Sequence, residues 1–497
     1  MRVIRRRATI ATSLAMPLAL TLLASTAQAQ APADTATRAG PPVRRIATAT
    51  ALSTEPLGSI TSVRELPDGR VLLNDGARRR LLLMDTTLKV VGVVLDSLAE
   101  VENTYGTRPG AVIPYRGDST LFVDPASFVM LVLDPAGKVA RVRSVPRVQD
   151  VQWLMGQQQG GSPASVGADG RGRLVYRIPA RAARPTVAPP RGVPWFPQEP
   201  DSAFLVAMDL DTRTQDTIGT IRIPKTAYVV RRLGDGGINV FNVINPLPLT
   251  DDWAVLPDGA VAFVRGIDYR VDYLHPDGTR TSSPKLPFDW QRMSDADRQR
   301  LVDSVKTAQR RSAVGSYVTS MIRWVNAYGG KTYPPGFTIP EGYTMPLGFA
   351  RTWKLPPGAT FPARYVYACG PEEEPTMTGT TPSCIPSPIM GSPGNAPPMP
   401  TLREPSVMDP AELPSFRPPF ATGAVRADAD GALWIRPTLA KPVPGGPVYD
   451  VVDRQGVLTD RLQLPPGYQL AGFGRGRVVY LSMRDASGMH LARVRLR

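Results

Sequence analysis

The sequence predicts an all-β fold: a six-bladed β-propeller closed by an N-terminal strand, with a helical and proline-rich insertion between blades 4 and 5. Three observations lead there. First, 53 prolines and 44 glycines in 497 residues cut the chain into short strands and turns. Second, a strand, an Asp-Gly or Gly-Asp turn and another strand recur as VRELPDGRVLL from Val63, AVIPYRGDSTLFV from Ala111, ASVGADGRGRLVYRI from Ala164, WAVLPDGAVAFV from Trp253, AVRADADGALWI from Ala424 and YQLAGFGRGRVVYL from Tyr468. Third, Asp68, Asp118 and Asp169 stand 50 and 51 positions apart, the interval of a four-stranded blade.

At the N-terminus, MRVIRRR, an apolar run and Ala27-Gln28-Ala29 form the three parts of a signal peptide over residues 1–29. The run is too short for a spanning helix, and no Cys follows it to carry a lipid. Arg5-Arg6-Arg7 fits either a plain basic leader or a twin-arginine one. The chain is therefore expected in a periplasm or outside the cell, as a monomer without a membrane span. Loss of Arg2, Arg5, Arg6 and Arg7 lowers the formal charge from +15 to +11. That balance suits an anionic small molecule, a polysaccharide or an acidic protein partner, or else is diffuse surface charge. The basic residues are not clustered with aromatics, so nucleic acid is not an expected partner.

Residues 43–52, VRRIATATAL, alternate like a strand. The sixth unit, Tyr468 to Arg497, has room for only three strands, so this segment is expected to complete the last blade and close the ring. The fourth unit is the fullest. Asp251 to Pro287 carries WAVL, AVAFV, YRVDYL and TRTSSPKL, with Pro-Asp-Gly turns after the first and third. Asp-Gly tolerates the positive φ of a tight turn, which makes the unit a meander. Second turns centred on Asp85, Asp134 to Gly137, Asp209 to Thr212, Asp277-Gly278 and Asp453 to Gly456 repeat this layout.

These LPDG-plus-strand repeats resemble those of NHL and TolB-like six-bladed propeller proteins of the exported bacterial type, over nearly all of the mature chain except 288–420. The resemblance implies the fold and leaves function open between interaction scaffolds and a minority of enzymes. The domain division is then a leader over 1–29, the N-terminal strand and blades 1 to 4 over 43–287, the insertion over 288–420, and blades 5 and 6 over 421–497.

Within the insertion, Ser294 and Asp297 form a capping box, and Leu301, Val302, Val305 and Ala308 continue at helical spacing. Val314, Tyr317, Val318, Met321, Ile322 and Val325 make a second apolar stripe. From Lys331 to Pro400 there are 16 prolines, which favour an extended lid over regular structure. Cys369 and Cys384, the only cysteines, lie there without further ligands for zinc and are expected to pair.

In a blade whose strands a to d run outward, the tight turns join a to b and c to d. The long segments 96–110, 147–163, 179–202, 225–250 and 288–421 all fall at b–c or d–a connections. One face is therefore plain and the other loop-rich, and binding is expected on the loop-rich face. Residues ending strand b on that face are Asn74-Asp75, Asp124, Arg177, Arg265, Arg436 and Arg484, with Trp253, Asp268, Tyr269 and Arg270 as companions. The arginines suit carboxylate or phosphate recognition, or each simply marks a strand end entering solvent.

No catalytic residue is assigned. His275, in a c–d turn, and His490, in a late strand, are expected away from the loop-rich face, which disfavours a Ser-His-Asp hydrolase. The alternative to a binding scaffold is a divalent-metal, lactonase-like hydrolase using Asn74, Asp75, Asp124, Asp251 and Asp252 at the channel mouth. Glycine phosphate loops, Cys-x-x-Cys and His-Glu-x-x-His are all missing, so no cofactor and no metal is expected. A Cys369–Cys384 bond would stabilise the segment by about 3 kcal/mol in the chain-entropy picture. Thiol labelling of the unreduced, denatured protein should find no free sulfhydryl; two labelled cysteines per chain would refute the pairing.

Overall fold

The computed structural model describes residues 40–47, 49–97, 104–155, 166–180, 200–232, 238–327, 332–341, 343–345, 349, 353–361, 367–368, 377–378, 381–382, 384–385, 399–402, 404–441 and 443–496. It is a six-bladed β-propeller. Strands a to d are Ile60–Glu65, Val71–Asp75, Arg80–Met84 and Val90–Leu95 in blade 1, and Ala111–Pro114, Thr120–Asp124, Val129–Leu133 and Val139–Ser144 in blade 2. Blade 3 has Gly167–Ala168, Leu174–Pro179, Ser202–Met208 and Gln215–Arg222; blade 4 has Asp252–Val255, Val261–Arg265, Arg270–Leu274 and Arg280–Ser282. Blade 5 has Phe420–Ala427, Leu433–Pro437, Val448–Val452 and Leu458–Gln463. In blade 6, Tyr468–Gly474, Val478–Arg484 and Met489–Arg495 are joined by Ala51–Leu52 as the outermost strand.

Each pair of neighbouring blades encloses its own apolar cluster. A middle strand is thus covered on both faces and reads as a continuous apolar run, as in Val71-Leu72-Leu73, instead of alternating. The Asp-Gly turns are held from within. Asp85, Asp134, Asp169, Asp428 and Asp453 each accept, through one carboxylate oxygen, the N–H groups two and four residues on. Gly259, at φ +85°, is needed twice over, because a Cβ there would lie 2.1 Å from the Gly170 nitrogen of the next turn.

The N-terminal segment does close the ring, but in two pieces. Ala51–Leu52 pairs antiparallel with Met489–Arg495 of blade 6, whereas Val43–Arg45 pairs parallel with Leu458–Gln463 as a fifth strand on blade 5. Ile46 turns inward and joins the cluster between those two blades, so one alternating run bridges two sheet edges. Arg44 pairs with Asp460 at the outer join.

The two predicted helical stripes belong to one helix, Asp295–Ala327, whose first turn carries the expected reciprocal bonds between Ser294 and Asp297. Val302 packs with Leu247, Met293, Met408 and Leu413, while Val318 and Ile322 pack with Met345 and Phe349 among Tyr333, Phe337 and Trp353. Sixteen residues correspond to about 160° of rotation. The helix ends therefore bury nearly opposite faces, which is why the sequence shows two stripes.

Two features of the long connections were not anticipated. Ala227–Arg232 and Ile238–Val243 form a separate hairpin between blades 3 and 4. In the proline-rich segment, Tyr367–Ala368 pairs in parallel with Cys384–Ile385. Cys369 lies outside the described residues, and so does the expected disulfide. No helix among the described residues is long and apolar enough to cross a membrane.

Deleting the chain through Leu52 removes both edge strands and the Arg44–Asp460 pair. The melting temperature should fall by several degrees. An unchanged thermal transition would show that ring closure does not need this segment.

Candidate functional site: the central channel

Strand a of every blade contributes to a central cavity of about 310 Å³, which opens among the a–b turns of the plain face. Strand pairing puts one residue of each blade at a common level, opposite the second residue of strand b: Arg64, Ile113, Gly167, Ala254, Arg426 and Phe473. Two guanidiniums and four uncharged residues share that level. Arg64 donates through Nη2 to the carbonyls of Asp118 and Ser119 at 3.2 and 3.0 Å, and Arg426 through Nη1 to that of Leu470 at 2.9 Å. Neither has a carboxylate partner within salt-bridge distance among the described residues.

The carboxylates nearby are committed elsewhere. Glu65 accepts from the Tyr480 hydroxyl and from the Arg475 N–H at 3.0 Å. Asp428 accepts from the Asp430 and Ala432 N–H groups and from the Trp434 indole. Asp118 pairs with Arg475 at 2.7 Å. Burial pushes Arg64 down to about 10, the Asp118 charge opposing and that of Arg475 reinforcing the fall. Burial likewise lowers Arg426. The cavity lining as a whole holds three guanidiniums, those of Arg64, Arg426 and Arg475, and the carboxylates of Glu65, Asp118 and Asp428.

The residues predicted from strand-b ends do not form a ring. Asn74, Arg177 and Arg436 are the fourth residues of their ladders, counted from the a–b turn, and Asp75, Asp124 and Arg265 the fifth. Side chains alternate along a strand, so the two sets point to opposite faces of the blades. Asn74 is fully buried, donating to the Gly110 carbonyl and accepting from Tyr105. Asp124 accepts from the Ala126 N–H and the Ser127 hydroxyl. Arg177 is buried and stacks over Trp153, its Nε unpartnered. Arg265 is neutralised by Asp251 at 3.0 Å and Asp272 at 2.7 Å. Arg436 and Arg484 are exposed, the latter within 3.4 Å of the Gly58 carbonyl.

The five residues of the hydrolase alternative are dispersed in the same way. Asp75 accepts from the Gly58 and Ser59 N–H groups, and Asp251 holds Arg265 and Gly266. Among the described residues no three His, Cys, Asp or Glu side chains converge as a metal set. His275 does sit in a c–d turn. His490, however, is the second residue of strand c in blade 6 and so lies beside the b–c turn, on the loop-rich side. Its ring contacts the Ser53 carbonyl and the Ser487 hydroxyl. Asp485 faces that hydroxyl rather than the nitrogen that meets Ser53, so no Ser-His-Asp relay forms.

A sequence signal for the channel arginines exists. Val63-Arg64 precedes Asp68-Gly69 by the same interval as Val425-Arg426 precedes Asp430-Gly431. Aligning repeats on their turns, and not on their strand ends, brings the two together.

No protein-family model and no curated protein matches the sequence. Among solved structures, a streptogramin B lyase is 9% identical over 47% of this chain, with a TM-score of 0.21, and the chain spans only 57% of that protein's length. A structural-genomics protein provisionally named a gluconolactonase is 11% identical over 92% of this chain and 94% of its own, with a TM-score of 0.31. The gluconolactonase of Xanthomonas campestris is 15% identical over 50% of this chain and 91% of its own, with a TM-score of 0.20. At these values the likeness contributes nothing to the choice of ligand or reaction.

Between blades 4 and 5, Asp252 is buried and accepts from the N–H groups of Trp253 and Val425, each at 3.0 Å. Burial pushes its carboxyl up to about 6, against the opposing pull of the N–H groups from Val425, Trp253, Ala424 and Gly423. An acid raised from 3.8 favours the folded state most when protonated, so stability from this group is present below pH 4 and is lost as pH rises to about 6. Its size is on the order of 2–3 kcal/mol. The difference between wild-type and Asp252→Asn melting temperatures should shift across pH 4 to 6 and be constant above; a difference independent of pH would refute the linkage.

Proposed function

We propose that this protein is an exported binding propeller that holds a small anionic ligand in its central channel. The observation that carries the reading is the pair Arg64 and Arg426, two guanidiniums lining one open cavity, neither with a carboxylate within salt-bridge distance among the described residues. Both residues line the cavity, and the Nε of Arg64 is buried there without a hydrogen-bond partner. An oxyanion placed there gains charge-assisted hydrogen bonds of about 1.5–3 kcal/mol each.

Export is supported by the leader-like residues 1–29. A periplasmic or extracellular setting, and a role as a scaffold for a ligand or for an acidic segment of a protein partner, follow from it. Arg436 and Arg484 are exposed on the loop-rich face and supply a secondary contact for a larger partner. The hydrolase alternative has less support, because its carboxylates are spent on backbone N–H groups and on Arg265.

Calorimetric titration of the mature protein with a panel of small carboxylates and phosphates tests the reading. Arg64→Gln or Arg426→Gln should weaken the best ligand by tenfold or more, while the control pair Arg70→Gln with Arg280→Gln, on the same face but outside the cavity, should have little effect. Equal losses in all variants that vanish in moderate salt would mean a diffuse field only.

A further inference from the structure

We propose that Asp118 is an internal competitor for the anion of the channel: it holds the Arg475 guanidinium at the cavity mouth, and an incoming oxyanion takes Arg475 over as a further binding group. This rests on the channel reading above and adds a residue to it. Arg475 stands in the a–b turn of blade 6 and Asp118 in that of blade 2, and their side chains pair at 2.7 Å. Blade 1 lies between those blades, bonded to one through Glu65 and to the other through Arg64. The pair therefore reaches across a blade, whereas Arg64 and Arg426 bond only the next one in the ring. Both partners line the cavity, which places the pair at its opening.

The main chain on both sides is fixed, so only side chains need move. The Arg475 N–H donates to Glu65 of blade 1 at 3.0 Å, and the next two N–H groups, those of Gly476 and Arg477, donate to Asp430 of blade 5 at 3.0 and 2.7 Å. The Asp118 carbonyl accepts from Arg64 at 3.2 Å. The paired side chains, in contrast, are 61% and 48% exposed, and an ion pair so open to water is weak because solvent screens it. Arg64 and Arg475 both bond this one residue, which keeps the two guanidiniums close, and the Arg475 charge accordingly helps to disfavour protonation of Arg64. Asp118 gives Arg64 only a carbonyl and leaves its Nε buried without a partner. An anion drawn to Arg64 thus arrives beside Arg475 and competes with the Asp118 carboxylate for it.

The test is a calorimetric titration of the mature protein with inorganic phosphate and with acetate, in moderate salt so that the long-range field is screened. Asp118→Asn removes the carboxylate, keeps the carbonyl that Arg64 uses, and suits the turn, since asparagine tolerates the φ of +60° found there. It should bind the better probe about two- to fivefold more tightly than the wild type, the factor that release of a solvated ion pair supplies. In an Arg475→Gln background the same substitution should give little gain, because the competitor then has nothing to hold. Binding that Arg64→Gln weakens but that Asp118→Asn leaves unchanged would overturn the competition and keep the anion-binding channel. An equal gain with and without Arg475 would do the same, leaving Asp118 as one negative charge near the site. No binding of either probe by the wild type or by Asp118→Asn would overturn both readings. Asp118→Gly, which also lacks the carboxylate and adopts the same φ without strain, guards against a folding defect: it should melt as the wild type does and repeat the gain.

Discussion

The blades are held together by guanidinium groups that donate to main-chain carbonyls of the neighbouring blade. Arg64 and Arg70 bond blade 2 from blade 1, Arg116 and Arg143 bond blade 3 from blade 2, and Arg265 and Arg280 bond blade 3 from blade 4. Arg426 joins blade 5 to blade 6, and Arg493 joins blade 6 to blade 1. A carbonyl satisfies a donor without cancelling its charge. The excess of basic residues is thus partly a consequence of how the ring is assembled, and need not signal a polyanionic partner. It also explains why arginine serves where lysine would not: a planar group with five donors can bond a neighbour and still present N–H groups elsewhere.

The interface between blades 4 and 5 is built differently. Buried acids replace the arginines: Asp252 accepts main-chain N–H groups of blade 5, and Asp450 accepts from Tyr269 at 2.9 Å while pairing with Arg461. Burial raises the Asp450 carboxyl, opposed by Arg461 and Tyr269. This is also where the chain leaves for the long insertion and returns. Covalent continuity by a tight loop is absent there, and strong, directional acceptors inside the interface take its place.

The channel inherits its chemistry from the same clamps. Arg64 and Arg426 each spend one nitrogen on the neighbouring blade, which locks their position. Pre-positioned donors of this kind lose little entropy on meeting a ligand. Asp118, at φ +60° in the blade 2 turn, accepts Arg64 through its carbonyl and Arg475 through its carboxylate, tying the rim of the cavity to the residue beneath it. Loop length therefore was a poor guide to the cavity. The long connections lie on the opposite face from its opening.

What the sequence by itself determined is local and repetitive. Asp-Gly turns, apolar runs and a 50-residue interval define strands, blades and their number, because turn chemistry acts over four residues and blade packing needs only apolar middle strands. The Ser294–Asp297 cap and the missing fourth strand of blade 6 were legible for the same reason. Only the tertiary structure decided which strand-end residues share a face. A one-position offset in the ladders, invisible when repeats are matched by their ends, sends Arg177 and Arg265 to opposite sides of their blades. It also decided which charges are free. Arg265 and Arg64 look alike in sequence, yet two aspartates 14 and 7 residues away neutralise the first, while the second meets only carbonyls of a turn 54 residues on. Charge compensation depends on contacts across blades, and those follow from ring closure rather than from any local pattern.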